Sequence, residues 1–183
     1  MPVCQWQGIS CTGDVVNGVD INGRSFHGSL PSEFGQLVSL ATLNLANNAF
    51  VGNIPSEVAQ LPLLQSIDVT KNTFEGSVPK FSPSIREIVL EYNRFSGSLP
   101  SDYFADMGSL VTFDVSYNNM GWYIPESIGS ASSLTYIDLS TNWFSGKLMF
   151  VVNSQSCPPL DCVKICINHY HYYFIPLLFN LFH

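Results

Sequence analysis

Five cysteines, four histidines and fourteen acidic residues are the groups in this 183-residue chain whose types and spacing invite chemistry. The densest set is Cys162, Cys166, His169 and His171, thiols and imidazoles of the kind zinc takes as ligands. Tetrahedral zinc needs ligand pairs separated by enough chain to fold around the ion, and two histidines this close behind the cysteines leave too little loop. No metal is expected there, and no cofactor elsewhere. Asp114 and Asp138 stand 24 residues apart, a spacing that recurs along the chain and brings them side by side. Paired carboxylates perform acid–base catalysis when a reacting partner and a water-poor site accompany them. Neither histidine nor nucleophile shares their register, so the chain is not expected to be an enzyme.

The remaining cysteines are Cys4, Cys11 and Cys157, and the odd total leaves at least one thiol over. Charged residues make up 11% of the chain, with a formal net charge of −7. No basic stripe exists to neutralise phosphates, which excludes nucleic acid as a partner. Thirteen glycines and eleven prolines predict frequent turns rather than long helices. The N-terminus has no basic region followed by an apolar run, so no signal peptide is expected. The apolar stretch 172–182 is interrupted by Pro176 and Asn180 and is too short to span a bilayer.

What positions these groups is a repeat. Apolar pairs flanking one outward residue recur at Val19-Asp20-Ile21, Leu43-Asn44-Leu45, Ile67-Asp68-Val69, Ile88-Val89-Leu90, Phe113-Asp114-Val115 and Ile137-Asp138-Leu139, at intervals of 24, 24, 21, 25 and 24 residues. Strand alternation turns each apolar pair inward. After each strand comes Asn48, Asn72, Asn93, Asn118 or Asn142, with Arg24 in the first copy; the amide is suited to satisfy backbone groups left over at the bend. Phe26, Phe50, Phe74, Phe95, Met120 and Phe144 follow two residues later and predict a stacked spine. Glycines then mark a turn, except that Trp122 stands where Gly belongs, most simply as a tolerated departure. Segments such as PSEFGQL and PSEVAQL read as short helical turns with Ser caps, while Pro83 rules out a helix in the shortened fourth copy.

Residues 1–16 read as an N-terminal cap, 17–149 as six repeats, and 150–183 as an unpatterned tail. In Cys4-x-Trp6-x-Gly8-Ile9-x-Cys11, a disulfide with a packed Trp would close the first coil; the alternative is two unrelated thiols. The tail lies on a membrane surface, covers the last coil, or is translated non-coding sequence, and its abrupt loss of register favours the last.

The outward strand residues form columns about 4.8 Å apart from copy to copy. Over copies four to six they bring together Tyr92, Tyr117 and Tyr136 with Glu87, Glu91, Asp114 and Asp138. Tyrosine is an efficient interface anchor, having large area and few rotamers to lose. This aromatic, acidic patch is the candidate ligand-binding face, set against the plainer reading of each Asp as an ordinary solvated residue of the motif.

The CxWxGIxC opening followed by copies of LxxLxxLxLxxNxFxGxIP resembles plant-type leucine-rich-repeat extracellular domains, those of receptor-like kinases, receptor-like proteins and polygalacturonase-inhibiting proteins. The resemblance covers residues 4–148. It implies a repeat solenoid, α/β by convention: a right-handed coil with a concave parallel β-sheet and short helical or 3-10 turns on the convex side. It further implies recognition of a protein or peptide, with or without a co-receptor, in an extracellular or plasma-membrane setting. Cys157 and Cys162 loosely resemble the paired-cysteine cap that closes many such domains. No glycine-rich nucleotide loop or catalytic-loop signature occurs, so no kinase activity is assigned. The expected function is a receptor ectodomain or part of one; the alternatives are a secreted inhibitor of a microbial wall-degrading enzyme and a non-functional truncated product.

Overall fold

The computed structural model describes residues 2–145, 164–167 and 171–172. In chain order the strands begin with β1 (Ile9–Thr12), β2 (Val15–Asp20), β3 (His27–Ser29), β4 (Thr42–Asn44) and β5 (Ala49–Gly52). They continue with β6 (Ser66–Asp68), β7 (Thr73–Gly76), β8 (Glu87–Val89), β9 (Arg94–Gly97) and β10 (Thr112–Asp114). The last are β11 (Asn119–Tyr123), β12 (Tyr136–Asp138), β13 (Trp143–Ser145), β14 (Lys164–Ile167) and β15 (His171–Tyr172). One sheet runs β1-β2-β4-β6-β8-β10-β12-β14-β15, and a second runs β13-β11-β9-β7-β5-β3. Pairing is parallel throughout, apart from the antiparallel β1–β2 and β14–β15 pairs at the ends of the first sheet.

The first sheet keeps the register expected from the repeats. Asp20, Asn44, Asp68, Val89, Asp114 and Asp138 are successive Cα partners, as are Gly18, Thr42, Ser66, Glu87, Thr112 and Tyr136. Their inward neighbours Leu43, Ile67, Ile88, Phe113 and Ile137 are buried in one continuous core. The phenylalanine column stacks: ring centroids lie 6.4 Å apart for Phe26–Phe50, 5.9 Å for Phe50–Phe74 and 6.3 Å for Phe74–Phe95.

The asparagine column joins the coils to one another. Asn72 donates from Nδ2 to the carbonyls of Val69 in its own coil and Leu45 in the preceding one, both at 3.0 Å, while its Oδ1 accepts the Phe50 N–H at 2.9 Å. Asn48, Asn93, Asn118 and Asn142 repeat this pattern. One buried side chain thus meets the needs of a bend on both sides of a coil boundary, where unpaired backbone groups would each be costly.

Three details differ from the sequence expectation. Trp6 does not pack beneath the cap: it is 56% exposed. The Cys4–Cys11 disulfide is formed, and the first coil is instead covered by β1 pairing with β2, with Ile9 and Val16 against the core. The short turns at Ser32–Gln36, Ser56–Ala59 and Glu126–Ser130 begin after Pro31, Pro55 and Pro125, with no side-chain cap hydrogen bond; the fixed φ of proline sets the entry without a Ser or Glu cap. Lastly, β14 lies within the tail yet extends the repeat register, with Lys164, Ile165 and Cys166 opposite Tyr136, Ile137 and Asp138. Its Ile-Cys-Ile alternation escaped the pattern because it follows Ile137 by 28 residues and lacks the Asn, Phe and Gly positions.

The fourth return, around Pro83, forms no helix, as expected, and Ser82 and Ser84 donate instead to the Leu61 and Leu64 carbonyls at 2.9 Å. Cys157, Cys162 and His169, which the zinc and terminal-cap readings concern, lie outside the described residues. No helix among the described residues is long and apolar enough to cross a membrane.

Candidate ligand-binding face

The residue before each column asparagine leaves the strand in the left-handed region: Asn47, Lys71, Tyr92, Tyr117 and Thr141 have φ between 52° and 54°. Such a conformation costs a side-chain-bearing residue about 1 kcal/mol and persists where surrounding bonds over-determine it. Here they do, since the N–H of Tyr92 bonds to Ser116 O at 3.2 Å and that of Tyr117 to Ser140 O at 3.0 Å. The shared turn aims equivalent side chains of successive coils in one direction. Tyr92 and Tyr117 consequently stack, with ring centroids 4.0 Å apart and planes 16° from parallel. Lys71, one coil earlier, holds its Nζ 5.9 Å from the Tyr92 ring centroid, a cation–π arrangement. Both tyrosines remain open to solvent, at 41% and 36% exposure.

The acids divide by role. In the central column each Asp or Asn accepts the backbone N–H two residues on, through Oδ1: Asn22 to Asp20, Ala46 to Asn44, Thr70 to Asp68, Ser116 to Asp114 and Ser140 to Asp138. This Asx turn ends the strand, so the column is structural first. Asp114 goes further. It is only 8% exposed and also accepts from Ser116 Oγ at 2.7 Å, which leaves little of it for a ligand. Its carboxyl is held above the ordinary value chiefly by burial, with the Ser116 bonds pulling the other way.

Asp138 accepts from the Tyr136 hydroxyl at 3.3 Å, and Glu87 accepts from Ser66 Oγ at 2.9 Å. Glu91 is half-buried beside Tyr92, its carboxyl raised first by burial and then by the Asp114 and Asp138 charges, with Lys71 opposing. Thus Glu87, Glu91, Tyr92, Asp114, Tyr117, Tyr136 and Asp138 share one face over three coils, with Glu87 and Tyr136 in the same column. Sequence reasoning left Lys71 and Ser116 out of the set. The Asx-turn role was readable from Asp or Asn followed two residues later by a free N–H; the tyrosine stack required the turn geometry.

On the second sheet Trp122 has φ 71°, where Gly52 and Gly76 have 77° and Gly97 has 82°, and its side chain is 68% exposed. With Tyr123, Ser98, Leu99 and Glu126 it borders an open groove of about 330 Å³. This groove lies apart from the tyrosine stack.

A family model described as Leucine Rich Repeat matches residues 39–61, the second coil. Over 63 residues the chain is 33% identical to Receptor-like protein kinase 7 of Arabidopsis thaliana, covering 34% of this chain and 6% of that protein. Among solved structures, that of PEPR1-AtPEP1 aligns with a TM-score of 0.73 at 32% identity, over 77% of this chain and 20% of the other. The Arabidopsis receptor kinase HAESA, in complex with the peptide hormone IDA and the co-receptor SERK1, aligns with a TM-score of 0.63 at 31% identity, over 66% and 20% of the two chains. The chain therefore corresponds to a small part of the relatives it matches. Repeat length, strand register, the capping disulfide and these likenesses together show a leucine-rich-repeat solenoid similar to part of the extracellular domains of plant receptor-like kinases.

Proposed function

We propose that this chain is a recognition module of a plant cell-surface receptor, binding an extended peptide or protein segment across coils four to six on the extracellular side. The observation that carries the reading is the exposed Tyr92–Tyr117 stack at the margin of a sheet face that bears Glu91 and Asp138. Two preorganised rings supply contact area at small entropic cost. Burial first, and then the Asp114 and Asp138 charges, raise the Glu91 carboxyl; a Lys or Arg of the ligand would offset the charge repulsion, so the ligand is assigned a cationic side chain. The peptide-bound HAESA complex supports use of this scaffold for peptide recognition. Signalling is assigned to other domains, with a co-receptor as a further partner.

The acidic face also favours a second reading, a secreted inhibitor that seats on a basic microbial wall-degrading enzyme. Selection of random peptides on the immobilised chain separates the outcomes. The receptor reading expects Lys- or Arg-bearing peptides whose binding is lost in Tyr92→Ala and Glu91→Gln. Peptides that bind those variants as well as the parent chain would place recognition elsewhere. Inhibition of a basic pectin-degrading hydrolase, with no peptide selected, would favour the inhibitor.

A further inference from the structure

The tyrosine stack has a chemical consequence that does not rest on ligand binding. Tyr92 and Tyr117 come from consecutive coils and are each pinned by a backbone hydrogen bond to the next coil. Their rings lie 4.0 Å apart at 16°, and both are open to solvent. We propose that Tyr92 and Tyr117 form an oxidative modification site, at which a peroxide-driven one-electron oxidant couples the two rings into a dityrosine staple between the fourth and fifth coils.

Each phenol gives one electron to the oxidant and its hydroxyl proton to water, leaving a tyrosyl radical. The two radicals pair to form one carbon–carbon bond between ring carbons ortho to the oxygens. The hydrogen on each joined carbon then transfers through solvent to the ring oxygen, restoring both phenols. In sum the protein loses two electrons and two protons, and one hydrogen peroxide is reduced to two waters. Coupling of radicals ordinarily requires two rings to meet; here the fold has already brought them together, and such proximity raises the effective concentration far above any attainable between separate molecules. The same geometry selects this pair among the tyrosines whose side chains are described, the Tyr136 hydroxyl donating instead to Asp138 Oδ2 at 3.3 Å. Tyr103 is fully buried with its hydroxyl bonded to Pro79 O at 3.0 Å, and Tyr123 lies on the other sheet. The staple would fix the margin of the acidic face without altering the strand register.

The test treats the full chain, at dilute concentration, with a haem peroxidase and hydrogen peroxide. Dityrosine fluorescence is read on the monomer, and the digested protein is examined by mass spectrometry. The expected product is one cross-linked peptide pair containing Tyr92 and Tyr117 and lighter by two hydrogens. Tyr92→Phe and Tyr117→Phe keep the stacked ring and the fold, verified by circular dichroism, and each abolishes the product; Tyr123→Phe leaves it intact. Fluorescence that persists in Tyr92→Phe, or that resides only in covalent dimers, would overturn the proposal.

Discussion

Asn118 offers the sharpest perturbation of the scaffold beneath the candidate face. Its Nδ2 donates to the carbonyls of Leu90, Val115 and Ser116, each at 3.0 Å, and its Oδ1 accepts the Phe95 N–H at 2.9 Å. The three carbonyls have other donors: Asn93 Nδ2 on Leu90 O, Asn142 Nδ2 on Val115 O and the Tyr92 N–H on Ser116 O. Truncation in Asn118→Ala therefore strands chiefly the Phe95 N–H, in a wall with no access to water. Leaving one buried donor unpaired, with a small cavity, costs about 2–3 kcal/mol. Asn118→Asp keeps that acceptor but turns a carboxylate oxygen toward three carbonyls, and an uncompensated buried charge costs about 4 kcal/mol.

The order of stability at neutral pH is then parent, Ala variant, Asp variant. The Asp variant should also show a pH signature. Its new carboxyl is raised in the folded state, so the folded form binds more protons than the unfolded one and stability falls as pH rises past about 4. Urea unfolding followed by far-ultraviolet circular dichroism, at neutral pH and again in acid, reads both effects. An Ala variant within about 0.5 kcal/mol of the parent, or an Asp variant that matches the parent at neutral pH, would refute the ladder argument.

Glu91→Gln should raise the melting temperature at neutral pH: the parent carboxyl is elevated in the folded state, which makes its ionisation destabilising above the ordinary carboxylate value, and the gain should vanish in acid. Trp122→Gly relieves a left-handed φ of 71° at a largely exposed side chain and should stabilise by about 1 kcal/mol in the same urea assay; a loss would mean that the indole makes a contact worth more than the strain. Phe74→Ala removes one of the two interior rings of the four-ring stack and should cost about 3–5 kcal/mol, read as a lower urea midpoint. An effect below about 1 kcal/mol would show that neighbouring coils collapse into the gap.

The repeat register was legible because strand alternation and the Asn, Phe and Gly positions each answer a local physical demand that recurs every coil. From Leu43 to Ile137, reading the apolar pairs was enough to align the columns of the sheet. The same logic failed where no local rule applies. Trp6 lies outward because β1 already covers the first coil, and β14 joins the sheet without the turn residues that identify a copy. The candidate face was legible as a set of residues but not as an arrangement. Asp114 and Asp138 share a column, yet only the packing around Asp114 makes it a buried Asx acceptor. Tyr92 and Tyr117 occupy equivalent positions, but their contact depends on a left-handed turn that sequence pattern does not reveal.

Ligand recognition is assigned above to coils four to six of the first sheet. Amide hydrogen exchange on the chain, with and without a peptide recovered from the random selection, tests it most directly. New protection is expected at Glu87–Val89, Thr112–Asp114 and Tyr136–Asp138 and at the Tyr92 and Tyr117 turns. Protection confined to coils one to three, or to the Trp122 groove on the second sheet, would contradict it.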